Sequence, residues 1–99
     1  MAILGTLVKQ PTDELDYDIS YSRFLTETDE LTSLNQPEIT ITPEEPNGLR
    51  KGAVNVMEDR LKIWLMDGVA GTEYKVEINV TTNEGRVRQD EFFIVVEDY

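Results

Sequence analysis

The sequence predicts an all-β fold, a sandwich of two antiparallel sheets with about seven strands. Several short segments alternate between apolar and polar side chains, most clearly Tyr74 to Val80. This period-two alternation places one face of a strand in the core and the other in water. The segments recur at roughly ten-residue spacing, and none keeps a helical period long enough for a helix, which favours a sandwich or a small barrel. At 99 residues the chain is expected to form one domain, residues 1–99.

The N-terminal part of the chain supplies two predicted strands. Leu4 to Val8 is predicted as an edge strand that ends before Pro11. Leu15 to Tyr21 alternates cleanly, which places Leu15, Tyr17, Ile19 and Tyr21 on one face of a second strand. Phe24 and Leu25 are expected to turn over the end of the core.

The middle of the chain is less regular. Thr26 to Glu30 is predicted as an acidic loop, with a short helix as the alternative, and Leu31 to Leu34 as a central strand. Glu38 to Thr42 is a better strand, because Pro43 and the turn-forming Pro46-Asn47-Gly48 bound it. Within Leu49 to Met57, the prediction is a short strand at Ala53 to Val56.

Three further strands complete the chain, namely Leu61 to Leu65, Tyr74 to Val80 and Phe92 to Val96. Tyr74 opens its strand shortly after Gly71, which is the pattern of a tyrosine corner in Greek-key sandwiches, where the hydroxyl bonds a nearby backbone group. The predicted core consists of inward residues of these strands: Leu15, Tyr17, Ile19, Leu61, Ile63, Leu65, Tyr74, Val76, Ile78, Val80, Phe92, Ile94 and Val96.

Composition excludes several functional classes. Twenty acidic residues against nine basic ones give a net charge of −11, which repels phosphate backbones and argues against nucleic-acid binding. Without cysteine or histidine the chain has no disulfide, no thiolate metal site and no imidazole base. The apolar runs are too short to span a membrane. Because Met1 to Gly5 lacks a basic signal-peptide region, we expect a protein made and assembled in the cytoplasm.

Clustered carboxylates offer the main chemical alternative. Glu14, Asp16 and Asp18 project from one side of a predicted strand, and Asp29 and Glu30 lie in a loop that could approach them. Oxygen ligands of this type suit calcium, yet their spacing matches no calcium loop. Paired carboxylates also occur in glycosidases, which need a cleft that so small a sandwich rarely forms. We therefore predict no enzyme activity, no metal and no cofactor, and keep a cation- or sugar-binding module as an alternative.

The candidate binding residues are apolar residues that strand alternation directs away from the core. If Leu61, Ile63 and Leu65 face the core, Trp64 and Met66 face outward. By the same alternation Phe93 and Val95 face outward from the last strand. Because exposed apolar patches often mark partner surfaces, and Trp, Phe and Met are enriched there, we predict protein interfaces at Trp64, Met66, Phe93 and Val95.

The chain also resembles a known family along nearly its whole length. The matching segments are Lys9-Gln10-Pro11, Leu15-Asp16-Tyr17, Tyr21-Ser22-Arg23-Phe24-Leu25, Pro46-Asn47-Gly48-Leu49, Trp64-Leu65, Gly68, Ala70-Gly71-Thr72, Tyr74, Val76, Thr81-Thr82, Gly85-Arg86, Phe92, Ile94 and Val96. These residues resemble the short Ig-like structural proteins of tailed bacteriophages, of the fibre–tail adaptor or head–tail accessory type. Tyr21 and Phe24 stand where that family usually has tryptophan, and residues 35–45 are longer and more acidic.

The resemblance implies an Ig-like antiparallel β-sandwich of about seven strands with a tyrosine corner. It implies a non-enzymatic virion structural protein, an adaptor joining tail or connector to fibres, with a capsid or head decoration protein as the alternative. The implied partners are other virion proteins, met by multiple copies in a symmetric assembly, without nucleic acid or membrane. The implied location is the virion, assembled in the host bacterial cytoplasm.

Overall fold

Seven β-strands make up more than half of the chain. The computed structural model describes residues 2–32 and 36–98. The strands are β1 (Ala2–Lys9), β2 (Leu15–Ser20), β3 (Glu38–Thr42), β4 (Arg50–Val56), β5 (Arg60–Met66), β6 (Thr72–Thr81) and β7 (Val87–Val96). No helix occurs in the described ranges, so none there could span a membrane. The all-β prediction is confirmed.

The strands form two sheets that share one hydrophobic core. The first sheet has the order β1-β7-β6-β3, and the second has the order β2-β5-β4. The antiparallel pair β6–β7 is the longest, with Tyr74 opposite Ile94 and Val76 opposite Phe92. Since these residues are buried on the same face, the alternation in the sequence aligns the two strands in one register.

The buried residues come from both sheets and from two loops: Ile19, Tyr21, Leu31, Leu49, Leu61, Ile63, Leu65, Tyr74, Val76, Ile78, Val80, Phe92, Ile94 and Val96. Eleven of the thirteen predicted core residues are among them. The prediction is wrong for Leu15, which is 41% exposed. Leu15 begins β2, an edge strand with a neighbour on one side only. Tyr17 on the same strand is partly buried and packs against Phe92.

One strand pair runs in the direction that the sequence did not predict. β1 pairs with β7 in parallel, so the expectation of purely antiparallel sheets is wrong for this pair. The following strand, β2, lies in the other sheet, so no hairpin forces β1 to be antiparallel to its neighbour. β1 is an edge strand, as predicted, and its register shifts between Ile3 and Thr6.

The segment between β2 and β3 also differs from expectation. Leu31 and Thr32 are not in a strand, and the remainder of the predicted strand at Leu31–Leu34 lies outside the described residues. Leu31 is nevertheless buried, and its amide donates to the carbonyl of Glu58 at 2.8 Å. An apolar side chain thus enters the core from irregular backbone, which an apolar pattern alone cannot distinguish from a strand. Thr26 to Glu30 forms turns rather than a helix.

The β5–β6 connection is held by a glycine and a tyrosine. Gly68 has a φ of +115°, and a Cβ placed there would lie 2.7 Å from Val96 Cγ2. Only glycine combines this backbone conformation with so close an approach to β7. The hydroxyl of Tyr74 accepts a hydrogen bond from the Val69 amide at 2.9 Å and donates to the Glu45 carboxylate. The predicted bond from Tyr74 to nearby backbone is therefore present.

A buried lysine closes the same end of the molecule. Lys9 has no exposed surface, and its ammonium donates to the carbonyls of Gln10 at 2.8 Å and Pro11 at 3.3 Å, and to that of Asp67. Burial lowers the pKa of Lys9, although nearby carboxylates, Asp13 first, act in the opposite direction. The last residue of β1 is thereby fixed to the β5–β6 connection.

Candidate docking surfaces

Trp64 and Met66 lie on the outer face of the second sheet, and we call this pair the tryptophan face. Their neighbours in β5, Ile63 and Leu65, are fully buried, so alternation directs the pair away from the core. Both are partly buried. A Cβ at Gly52 would lie 2.6 Å from Met66 Cε, so this glycine leaves room for Met66 to extend over β4.

The charges around the tryptophan face are mixed. Asp16 lies opposite Trp64 in the register, and its carboxylate is 3.4 Å from the ammonium of Lys62. On the other side Arg50 lies opposite Met66 and pairs with Asp67. These ion pairs are solvent-exposed, so they add little stability, yet they set an apolar pair within a charged rim.

Phe93 and Val95 lie on the outer face of the first sheet. Val8 is opposite Val95 in the parallel register, and the three residues form what we call the phenylalanine face. Val8 is 50% exposed, whereas Phe93 and Val95 are partly buried. On the β6 side the neighbours are Lys75, opposite Phe93, and Glu73, opposite Val95. This face is thus an apolar strip beside charged residues.

The two faces point in opposite directions. Each belongs to the outer side of a different sheet, and the shared core lies between the sheets. The four predicted interface residues therefore divide into two separate pairs rather than one patch. The two apolar pairs therefore lie on opposite sides of the chain.

Sequence reasoning predicted β1 as an edge strand but did not place Val8 in a candidate surface. Val8 belongs to the phenylalanine face only because β1 pairs with β7, and nothing in the local pattern of β1 predicts that pairing. Leu7, opposite the buried Ile94, has the inward parity yet is 46% exposed. The absence of charged residues from Ala2 to Val8 is the one sequence signal that could have marked this strand as an edge without protection against pairing.

A cleft opens between the edges of the two sheets on the β1 and β2 side. It has a volume of about 400 Å³. Leu7 from β1, Tyr17 and Ile19 from β2, and Phe92 from β7 contribute its apolar lining. Asp18 is the one carboxylate among the described residues that line it. The cleft is apolar inside and acidic at its edge.

Asp29, in the acidic Thr26–Glu30 loop, has structural partners. The buried Asp29 carboxylate accepts bonds from the amides of Glu30 and Glu84, both at 3.0 Å, and lies 3.7 Å from the Arg86 guanidinium. Burial raises the pKa of Asp29, but hydrogen bonds, that of Thr82 first, and the Arg86 charge outweigh it and hold the pKa below its usual value. Asp29 therefore connects this loop to the β6–β7 turn.

Phe24 covers this same end of the core, as predicted. Phe24 is partly buried against the core, and the Arg86 guanidinium lies 4.0 Å from its ring centroid. Arg86 also donates to the Phe24 carbonyl at 2.9 Å. Arg88 binds the buried Asp90 carboxylate at 3.0 and 3.1 Å. These arginines stabilise this end and are engaged within the chain.

The described residues contain no group of three or more His, Cys, Asp or Glu side chains placed to hold a metal ion. What distinguishes the surface is the two apolar faces, the open edge and a net charge of −11. The fold and these surfaces together define a class, a small all-β protein with apolar residues on the outer side of each sheet.

A comparison with protein families finds a match over most of the chain. A family model described as "Podophage GP4 fiber-tail adaptor protein gp77" matches residues 9–95. The chain belongs to this family of phage structural proteins, and the resemblance found in the sequence is confirmed. Membership places the chain in the virion. No curated protein matches the chain.

Proposed function

We propose that this chain is a non-enzymatic virion protein that joins the phage tail or connector to the fibres. The observation that carries the proposal, beside family membership, is the pair of opposed apolar faces. An adaptor has to hold two proteins at once, which requires two surfaces that do not compete for the same space. Trp64 with Met66 on one side, and Phe93 with Val95 on the other, meet that requirement.

The proposal includes a single Ig-like β-sandwich domain spanning residues 1–99. The strand order supports it, because β3, β6 and β7 match strands C, F and G of an immunoglobulin sheet, while β2, β5 and β4 match B, E and D. The bond between Tyr74 and the Val69 amide, five residues upstream, supports a tyrosine corner. β1, parallel to β7, is the exception to an antiparallel sandwich.

Several copies in a symmetric assembly would make weak single contacts effective, since linked sites raise the local concentration of partners. We propose assembly in the host bacterial cytoplasm, with no contact to nucleic acid or membrane. The net charge of −11 supports the absence of these contacts, because it repels both nucleic-acid phosphates and anionic lipid headgroups.

The test uses the purified chain with the tail or connector protein and the fibre protein of the same phage. Binding is measured for each partner alone and for the three together. We expect a ternary complex. Trp64→Ala is expected to weaken one partner at least tenfold and Phe93→Ala the other, because each side chain lies on a separate face. Val87→Ala, at an exposed site at the far end of β7, serves as the control.

Circular dichroism melts establish that each variant is folded before binding is compared. Failure of the unaltered chain to bind either protein would overturn the adaptor proposal. If both substitutions weaken binding of the same partner and spare the other, the assignment of one partner to each face is wrong, while the adaptor role stands.

A further inference from the structure

The four edge strands are not equally protected against pairing with other strands. Edge strands of soluble proteins commonly carry charged residues that prevent such pairing. β2 carries Asp16 and Asp18, β3 carries Glu38, and β4 carries Arg50 and Lys51. The single charge of β1 is Lys9, and its ammonium is bonded to backbone carbonyls inside the molecule.

The unprotected part of β1 also exposes apolar side chains. The register with β7 runs without interruption from Thr6 to Lys9, after the shift between Ile3 and Thr6. Within it Leu7 is 46% and Val8 50% exposed. On the β2 edge, Leu15 also has the inward parity and is 41% exposed. Inward residues remain exposed at both edges because no further strand covers them.

We propose that a strand of a partner virion protein adds to the free edge of β1 at Thr6–Lys9 and closes the cleft between the two sheets. Strand addition satisfies the unpaired backbone groups of the edge, and alternate side chains of the added strand enter the pocket beside it. The cleft of about 400 Å³, lined by Leu7, Tyr17, Ile19 and Phe92, receives those side chains. The inference rests on the proposed adaptor function and names the contact for one of its partners.

Charge determines the kind of strand that fits. Asp18 lies at the cleft, Asp16 lies further along β2, and Glu14 immediately precedes the strand, all with exposed side chains. Lys62 pairs with Asp16 at 3.4 Å, but Lys9 adds no positive charge at the surface because its side chain is fully buried, so these three carboxylates leave the edge negative. The fitting segment is therefore extended, with apolar side chains directed into the cleft and lysine or arginine beside them. A second copy of this acidic chain fits less well, because like charges would meet.

The test compares Leu7→Lys with Val87→Lys in binding to the purified tail or connector protein and the fibre protein. Both positions are exposed and apolar, but only Leu7 lies at the cleft. A lysine at Leu7 places an inward-pointing charge on the edge, a known obstacle to strand pairing. We expect Leu7→Lys to weaken one partner at least tenfold and Val87→Lys to weaken neither.

Hydrogen exchange of the unaltered chain provides a second measurement that does not depend on a variant folding. Amides of Thr6 to Lys9 are expected to exchange more slowly in the complex. Unchanged exchange there, or equal binding by both lysine variants, overturns the inference and leaves the adaptor function intact. Sedimentation showing a dimer abolished by Leu7→Lys would identify a second copy as the occupant, also against the proposal. Failure of the unaltered chain to bind either protein counts against the adaptor function itself.

Discussion

The hydroxyl of Tyr74 connects three parts of the chain at the residue scale. It lies in β6, accepts from the Val69 amide and donates to Glu45 in the loop after β3. Tyr74→Phe removes the partner of that amide and of the Glu45 carboxylate, so we expect the free energy of unfolding to fall by about 1–2 kcal/mol. Urea denaturation measures the change.

Glu45→Gln is the matched variant for this contact. It keeps a hydrogen-bond acceptor for the hydroxyl and leaves the Val69 amide bonded, so the loss of stability should be smaller than for Tyr74→Phe. Equal stability of Tyr74→Phe and the unaltered chain would contradict a structural role for the hydroxyl.

Gly68 combines close packing with a backbone conformation that would be strained for any other residue. Gly68→Ala places a methyl group against Val96 at a φ of +115°, so we expect a loss of roughly 2–3 kcal/mol in unfolding free energy. Gly71→Ala in the same connection is the control, because its φ of +87° is also positive but nothing lies within 4 Å of the added Cβ. If both variants lose the same stability, packing against β7 is not what requires glycine at position 68.

At the scale of elements, Lys9 fixes the end of β1 to the β5–β6 connection. Lys9→Met keeps an apolar stem but leaves three carbonyls without their donor, so we expect a loss of roughly 2–4 kcal/mol. Because the contact lies at the end of an edge strand, Lys9→Met should accelerate hydrogen exchange of the β1 amides more than that of the β6 amides. Lys51→Met, at an exposed position of β4, should change neither quantity.

Strand positions were predictable where alternation is strong and turns bound it. Glu38–Thr42 agrees with β3 at both ends, and β5, β6 and β7 contain the predicted segments. The extensions of these strands were not predictable, because polar and charged residues such as Arg88 begin β7 ahead of its apolar run. The parallel pairing of β1 depends on contacts between the two ends of the chain, which no local pattern encodes.

The candidate surfaces were predictable only in part, for a related reason. Parity within β5 and β7 correctly directs Trp64 and Phe93 away from the core, whereas their separation onto opposite sides follows from the assignment of these strands to different sheets. The cleft beside Leu7 depends on two strands that are edges only in the assembled fold. Alternation in the sequence specifies a face of a strand but not what lies beside it.

For the whole molecule, alkaline pH should destabilise the fold. Burial raises the pKa of Tyr17, Tyr21 and Tyr74 above the ordinary value of 10.0. Above that value the unfolded chain loses phenolic protons first, so the folded state binds more protons and its stability falls as pH rises. Lys9 acts in the opposite direction, because its lowered pKa makes the unfolded chain the better proton binder up to 10.5.

With three tyrosines against one lysine, we expect the free energy of unfolding to be lower at about pH 11 than at about pH 8. Urea denaturation at the two pH values measures it, and absorbance of tyrosinate follows the titration. Tyr21→Phe removes the tyrosine whose pKa burial raises most and should reduce the dependence of stability on pH. Stability that is constant or increases over this range would contradict the account.

The central claim is that this acidic chain lies between tail and fibres and contacts both. Cryo-electron microscopy of the intact virion tests it most directly, because the two sheets can be oriented in the density. The account predicts the domain at the junction, with the tryptophan face and the phenylalanine face against different proteins. Density for the chain on the capsid surface, or at the junction with both faces in solvent, would contradict it.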